Sequence, residues 1–386
     1  MRIGVFGGTF NPPHIGHIKA VEYAQKQMDL EKIIFIPNKI PPHKVMPSNS
    51  AQPQQRLDMI WLATRDLKNC EVSDIEIKRD GVSYTVDTLR DLKSIYPNDE
   101  LCLLMGDDML LSFDTWRNPA EISKLATLGV FLRRHDIKNQ VIKKKEELEK
   151  IFDAKITVIE NDVFEISSTD IRNNDNLSNM VSDDVYLYMA LSGLYGTKLT
   201  DNDIDCLRNK VLKWTDKDRS AHVLGCERQA IKLAKIYNVD TEKARIAALL
   251  HDITKSNNIE ENLLLCDRYG IIVDNLQREH NSLLHAVSGS LVAKHFFGVS
   301  DEICEAIRWH TTGKPDMSLL EEIIYIADIT EESRSFCGVD SLRELCEKDI
   351  KQAVYVSLDN TISRLNGKVI HSDTIKARDY YRKLGV

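Results

Sequence analysis

Two histidines three residues apart mark the first place in this chain where chemistry is legible. In GGTFNPPHIGH (residues 7–17) paired glycines precede His14 and His17. Glycine lets backbone amides approach a phosphate closely, and residues three apart on a helix share a face, so the segment is an anion-binding design. No G-K-[ST] follows, as a Walker A loop would need, and the G-x-G-x-x-G of a dinucleotide fold is absent. A second set of donors lies far downstream. His222, the adjacent His251 and Asp252, His285, His310 and Asp328 supply six nitrogen and oxygen ligands. Imidazole and carboxylate suit iron, manganese or zinc, and six ligands are enough for two ions. His280 competes with His285 for one position; His285 is preferred because it lies inside an apolar helical run, whereas His280 sits in polar REHNS. His295 and His371 are expected at the surface.

Positioning these groups requires two kinds of architecture. From residue 2 to about 165, short β-branched runs at 2–8, 32–37, 70–77, 100–106, 127–134 and 155–161 alternate with helix-length segments near 17–28, 51–66, 84–96, 107–125 and 138–152. Such alternation predicts an α/β doubly wound, mainly parallel sheet with helices on both faces and ligands at the C-terminal strand ends. The glycine-rich segment follows the first strand directly and opens the first helix. Beyond the polar stretch 172–184 and a helix near 185–192, GTKLTDND (196–203) reads as a linker. Apolar residues then recur every three or four positions, which predicts an all-α domain with each metal-ligand candidate on a helix. The expected domains are 1–196 and 197–386.

Composition narrows the function classes. A chain of 386 residues, 42% hydrophobic and 28% charged, is long enough for two or three folded domains. The net charge of −8 carries no basic surplus, so nucleic acid is not an expected partner. No apolar run reaches membrane-spanning length and MRIGVFGGTF lacks signal-peptide character, so a cytoplasmic protein without a membrane partner is expected. The eight cysteines form no C-x-x-C pair and are read as reduced core or surface thiols. Seven of the eleven histidines follow residue 196, which assigns a separate chemistry to each half.

The order GGTFNPPHIGH, PPHK (41–44), SYTVDTL (83–89), MGDDMLLSFDTW (105–116) and ISSTDIR (166–172) resembles the nicotinate-nucleotide adenylyltransferase family of the nucleotidylyltransferase superfamily. The resemblance covers residues 1 to about 195. It implies a Rossmann-like fold, adenylyl transfer from ATP to nicotinate mononucleotide, and Mg²⁺ accompanying ATP. By the same resemblance His14 and His17 would hold the ATP phosphates, with further phosphate contacts from Lys44, Ser168 and Arg172 and with His43 nearby. Thr85 and Trp116 would form the nicotinate pocket, and Gly106 and Asp107 would sit where nucleotide binds. Gly8, Thr9, Phe10, Ser167 and Thr169 complete the binding segments. For Trp116 the pocket role is preferred over an ordinary core or surface aromatic, whereas Arg133–Arg134 is as readily a solvated pair.

SAH (220–222), HDITK (251–255), HAVSG (285–289), RWHTTGKPDMSLLEEIIYIAD (308–328) and ESR (332–334) resemble the HD-domain family that hydrolyses diadenosine tetraphosphate symmetrically. This likeness, from about 205 to 380, implies two divalent or mixed-valence ions, iron before manganese or zinc, and a phosphate contact from Lys255. The family usually has a proline after the last metal Asp, whereas ITEESRSF (329–336) has none. Together the halves imply a bifunctional enzyme acting on ATP, nicotinate mononucleotide and dinucleoside polyphosphates, with homo-oligomerisation left open. The alternative is that the helical half is a nucleotide-sensing regulatory module. A tRNA-directed reading of H-I-G-H is disfavoured by the acidic balance and by Ser167, Ser168 and Thr169 standing where a lysine-rich second signature would be.

Overall fold

The computed structural model describes all residues except 43, 44, 134, 161–165, 174–176, 178, 216, 366–368 and 386, and the backbone alone at 135 and 218. The chain divides into two compact units, Met1–Lys198 and Leu199–Val386.

In the first unit, strands β1 (Arg2–Gly8), β2 (Lys32–Pro37), β3 (Cys70–Val72), β4 (Glu100–Gly106), β5 (Ala126–Phe131) and β6 (Ile156–Ile159) form one parallel sheet in the order β3-β2-β1-β4-β5-β6. Alternate residues face opposite ways along a strand. Ile3, Val5, Leu101, Leu103 and Met105 accordingly join one buried cluster, and Phe6, Cys102 and Leu104 join another. Both faces are buried, which is why these strands read as continuous apolar runs. The helices are α1 (Ile15–Gln27), α2 (Pro53–Thr64), α3 (Ile75–Lys78), α4 (Thr85–Ile95), α5 (Asp107–Leu111), α6 (Pro119–Leu125), α7 (Lys138–Phe152), α8 (Ser168–Arg172) and α9 (Asp183–Ser192). The winding reverses between β1 and β4, and a doubly wound sheet opens its ligand crevice at that point.

Three expectations are corrected. The strand predicted over 70–77 stops at Val72, because the chain turns at Ser73–Asp74 and α3 buries Glu76, whose carboxylate accepts the Thr88 hydroxyl at 2.6 Å. The helix predicted over 107–125 is broken into α5, a 3₁₀ turn at Phe113–Thr115 and α6. Asn118 there takes a left-handed φ of 55°, and Pro119, which has no amide hydrogen to continue a helix, starts α6. The predicted linker 196–203 ends early, since Thr200 caps a helix that begins at Asp201.

The second unit is helical: α10 (Asp201–Trp214), α11 (Lys217–Ile236), α12 (Thr241–Leu250), α13 (Ile259–Arg268), α14 (Asn275–Glu279), α15 (Asn281–Phe297), α16 (Asp301–Trp309), α17 (Leu319–Thr330), α18 (Val339–Lys348), α19 (Ile350–Arg364) and α20 (Ser372–Lys383). Helix α11 packs on α12 and α17, and buried alanines at 230, 234, 244, 247 and 248 suit close approach of backbones. His295 and His371, expected at the surface, are both buried. His295 stacks on Tyr269 with ring centroids 3.7 Å apart, and His371 joins Asp274 at 2.7 Å while capping α20.

Glu322 of α17 is a cost this fold carries. It is buried, accepts the Tyr381 hydroxyl at 2.7 Å through Oε1, and its Oε2 has no hydrogen-bond partner. Burial pushes its pKa up to about 7 from the usual 4.5. Between these values the folded state keeps a proton that the unfolded chain has released, so stability falls as pH rises through that window. Glu322→Gln should therefore be more stable than the parent at pH 8 by about 1–3 kcal/mol, with the difference closing by pH 4.5. Denaturant titrations across that range check it; parallel pH profiles for the two proteins would contradict it.

Candidate functional sites

In the first unit, β1 runs into Thr9 and Phe10, then a cis Asn11–Pro12 bond, and His14 becomes the N-cap of α1. This loop is held from three sides. The buried Arg56 guanidinium donates to the carbonyls of Thr9 at 2.8 Å and Asn38 at 2.6 Å. Asn11 Oδ1 accepts from the Ala51 amide at 3.1 Å and the Tyr195 hydroxyl at 2.7 Å. From α8, Ser168 Oγ donates to the Pro12 carbonyl at 2.8 Å and Arg172 Nη1 to the Asn11 carbonyl at 2.7 Å. Thus the donors of Ser168 and Arg172 that were expected on phosphate are on the loop that would carry it.

His14 and His17 lie ring to ring, with centroids 3.6 Å apart. His17 Nδ1 accepts the His14 backbone N–H at 3.1 Å, which sets the neutral tautomer and leaves its hydrogen on Nε2. Burial, reinforced by Arg133, lowers the His14 pKa to about 4. Burial, then His14 and Arg133, holds His17 well below the usual value. Both rings are therefore neutral donors at pH 7, and His14 Nδ1 is a buried atom without a hydrogen-bond partner.

These groups line a cleft of about 540 Å³ with Gly8, Thr9, Phe10, Gly106, Ser167 and Thr169. Thr85 and Trp116 line it as well, Trp116 packing on Phe113 with ring centroids 5.5 Å apart. Asp107 lies beneath the wall, its carboxylate accepting the amides of Asp108 at 2.8 Å and Arg133 at 2.6 Å. A side chain at Gly106 would meet Asp108 Oδ1 at 2.6 Å and Arg133 Nε at 2.9 Å, so this strand end admits only glycine without a shift. Arg133 itself lines the cleft and makes an exposed ion pair with Asp108 at 3.2 Å. His43, Lys44 and Arg134 lie outside the described residues. The sequence reading missed Arg56, whose one visible signal was a cation inside an otherwise amphipathic helix.

In the second unit the six candidate ligands converge. His222, His285 and Asp328 are helical, on α11, α15 and α17. His251, Asp252 and His310 correct the expectation of helical placement, because they lie just past the ends of α12 and α16. Nε2 atoms face each other at 3.2 Å in both His222–His251 and His285–His310. Asp328 Oδ1 is 3.1 Å from His222 Nε2, and Asp252 Oδ1 is 3.0 Å from His285 Nε2. His280 is instead exposed, at the N-cap of α15.

The opposite ring nitrogens explain this arrangement. Nδ1 of His251 contacts the Ala248 carbonyl at 2.7 Å, that of His310 the Ile307 carbonyl at 2.7 Å, and that of His285 the Asn281 carbonyl at 3.2 Å. His222 Nδ1 contacts Glu331 Oε1 at 3.1 Å. An imidazole that donates through Nδ1 presents a lone pair at Nε2, the arrangement that orients metal ligands. Buried Asp252 Oδ1 accepts no hydrogen bond, as a ligand oxygen would not. The residues therefore fit divalent cations.

Charge follows the same pattern. Burial opposes ionisation of Asp252, but His251, His285 and His310 outweigh it and hold its pKa well below the carboxylate range. Burial also opposes protonation of His222, but Asp328 raises its pKa to about 9. Burial lowers Lys255, whose Nζ is 3.2 Å from His285 Nε2. Arg219 joins Asp252 at 2.7 Å and Arg334 joins Asp328 at 2.5 Å. Both line a neighbouring cavity of about 520 Å³ with His222, Glu331, Ser333 and Phe336. Glu331 and Arg219 escaped the sequence reading, although Glu331 falls three residues after Asp328, on the same face. Gly225 makes room for it: a Cβ there would meet Glu331 Oε2 at 2.4 Å.

A cytidylyltransferase-like family model matches residues 5–174, and an HD domain model matches residues 219–333. A probable nicotinate-nucleotide adenylyltransferase of Dictyoglomus thermophilum is 38% identical over 204 residues, covering 50% of this chain and all of that protein. One of Fusobacterium nucleatum is 44% identical over 174 residues, 45% of this chain and 86% of the relative. A crystal structure of a predicted HD superfamily hydrolase involved in NAD metabolism, from Clostridium acetobutylicum, is 40% identical, covers 47% of this chain and 97% of its own, and superposes with a TM-score of 0.46.

Proposed function

Because the N-terminal half of this chain belongs to the nicotinate-nucleotide adenylyltransferase family and its C-terminal half carries an HD domain, we propose a bifunctional enzyme. It transfers the adenylyl group of ATP to nicotinate mononucleotide, and it hydrolyses diadenosine tetraphosphate symmetrically to two ADP. The mononucleotide phosphate oxygen attacks the α-phosphorus of ATP, that phosphorus loses its bond to the β-phosphate oxygen, and pyrophosphate leaves; Mg²⁺ accompanying ATP would supply further charge neutralisation. No covalent nucleophile is needed, so positioning and charge neutralisation carry the step. The supporting observation is the neutral His17, whose Nε2–H is free of its own backbone and lines the cleft beside the positive end of α1. The α4 N-terminus at Thr85 offers amides to a nicotinate carboxylate, with Trp116 on the same cleft wall for the ring.

For the helical half, four imidazoles oriented through Nδ1 support a metal centre held by His222, His251, Asp252, His285, His310 and Asp328. Two bound ions, iron before manganese or zinc, would supply charge neutralisation and an activated water. Arg219 and Arg334 bring cationic groups to the cavity beside His222, and Lys255 adds another beside His285, a set suited to a polyphosphate.

The test assays the full chain with ATP plus nicotinate mononucleotide, with ATP plus nicotinamide mononucleotide, and with diadenosine tetraphosphate, alongside metal analysis. A charged hydrogen bond contributes about 1.5–3 kcal/mol, so kcat/KM should favour nicotinate by at least about tenfold. Equal values would remove the substrate assignment. Two ADP from diadenosine tetraphosphate are expected; binding without cleavage by the metal-loaded chain would favour the nucleotide-sensing alternative.

A further inference from the structure

We infer that Cys226 is a ligand of the metal centre, so that the ion nearest α11 is held by His222, Cys226, His251 and Asp328 and belongs to the thiolate-accepting class, zinc or ferrous iron. The inference rests on reading the cluster as a metal centre and goes beyond the six nitrogen and oxygen donors assigned to it.

Cys226 follows His222 by one helical turn on α11 and is buried. Its Sγ is 3.5 Å from His222 Nε2. Donor atoms from His222, Cys226, His251 and Asp328 all lie within 4.8 Å of one another. Tetrahedral bonds of about 2.0–2.1 Å to nitrogen and oxygen and about 2.3 Å to sulfur place donors about 3.3 Å apart, or about 3.6 Å where one is sulfur. The observed separations are 3.2 Å for His222–His251, 3.1 Å for His222–Asp328 and 3.5 Å for Cys226–His222. They match the three edges of such a tetrahedron that meet at His222, and the other donor pairs lie within 4.8 Å of one another.

A core thiol would turn away from the imidazole nitrogens towards apolar neighbours. This Sγ instead faces the imidazole nitrogens and donates a weak S–H hydrogen bond to the Ala327 carbonyl at 3.8 Å, one residue before the ligand Asp328. The unpartnered Asp252 Oδ1, 3.0 Å from His285 Nε2 and 3.5 Å from His310 Nε2, marks a neighbouring cation position in the same cluster. When sulfur binds the ion, the thiol proton passes to solvent. Thiolate beside imidazole selects zinc or iron over magnesium and calcium, which take oxygen.

Full-length protein reconstituted with Co²⁺, and separately with Zn²⁺, tests this. The wild type should show a near-ultraviolet thiolate-to-cobalt charge-transfer band. Cys226→Val, of similar volume, should lose the band while keeping its circular dichroism, and its zinc affinity should fall by more than the about 10–100-fold typical of losing an outer-shell partner. A variant band equal to that of the wild type overturns the inference. Zinc-edge X-ray absorption of the wild type decides it without any variant: a sulfur shell at about 2.3 Å supports it, and a nitrogen and oxygen shell alone overturns it. Failure to bind any metal would remove the metal-centre reading itself, so the two failures are distinguishable by stoichiometry.

Discussion

His17→Ala is expected to lower kcat for adenylyl transfer about 10²–10³-fold, the usual loss for one preorganised donor to developing charge, and to leave polyphosphate hydrolysis unchanged. His17 meets the phosphates as a neutral donor, because the His14 amide occupies its Nδ1 and burial holds its pKa down. In the low-dielectric wall formed with Phe6 and Phe10 such a donor strengthens as charge builds on the transferring phosphorus. Alanine removes the donor and also the acceptor of the His14 amide, so a thermal melt should accompany the rate. A variant that melts like the parent and keeps its kcat would remove His17 from the chemistry.

Asp252→Ala should abolish hydrolysis and lower metal content, with adenylyl transfer intact. Asp252 lies among the Nε2 atoms of His251, His285 and His310 at 3.4, 3.0 and 3.5 Å, where its negative charge balances cations. Without it, Asp328 would be the one carboxylate left among the proposed ligands. Cys226, the thiol beside His222, is buried among the proposed ligands, so the proposed hydrolysis would draw its nucleophile from water activated at the metal centre. Arg219 would lose its carboxylate partner at 2.7 Å, which is a reason to verify folding by circular dichroism. Full hydrolysis with full metal content in this variant would contradict the assignment.

Period and spacing made much of this legible. The apolar runs that became β1, β2 and β4 announced a parallel sheet, and the glycine turn after β1 announced where an anion would sit. The six histidine and aspartate candidates could be drawn from sequence because an adjacent His251–Asp252 pair and three further histidines with a second aspartate fall within the half of helical periodicity. Tertiary contacts were not legible. Arg56 reaches Thr9 and Asn38 only because the chain folds α2 under the loop, and Ser168 and Arg172 turn to loop carbonyls that no motif displays. His371 pairs with Asp274, ninety-seven residues away, which is why surface placement was the natural expectation for a lone histidine. Glu331 and Cys226 were visible in principle, one three residues from Asp328 and the other four from His222 on shared helical faces.

The central claim is that one chain carries two independent chemistries. The most direct measurement is a two-by-two comparison of both rates, with metal content, in His17→Ala and Asp252→Ala of the full chain. The account predicts that His17→Ala loses adenylyl transfer alone, and that Asp252→Ala loses hydrolysis and metal alone. Loss of both rates in either well-folded variant, or retention of hydrolysis in Asp252→Ala, would contradict it.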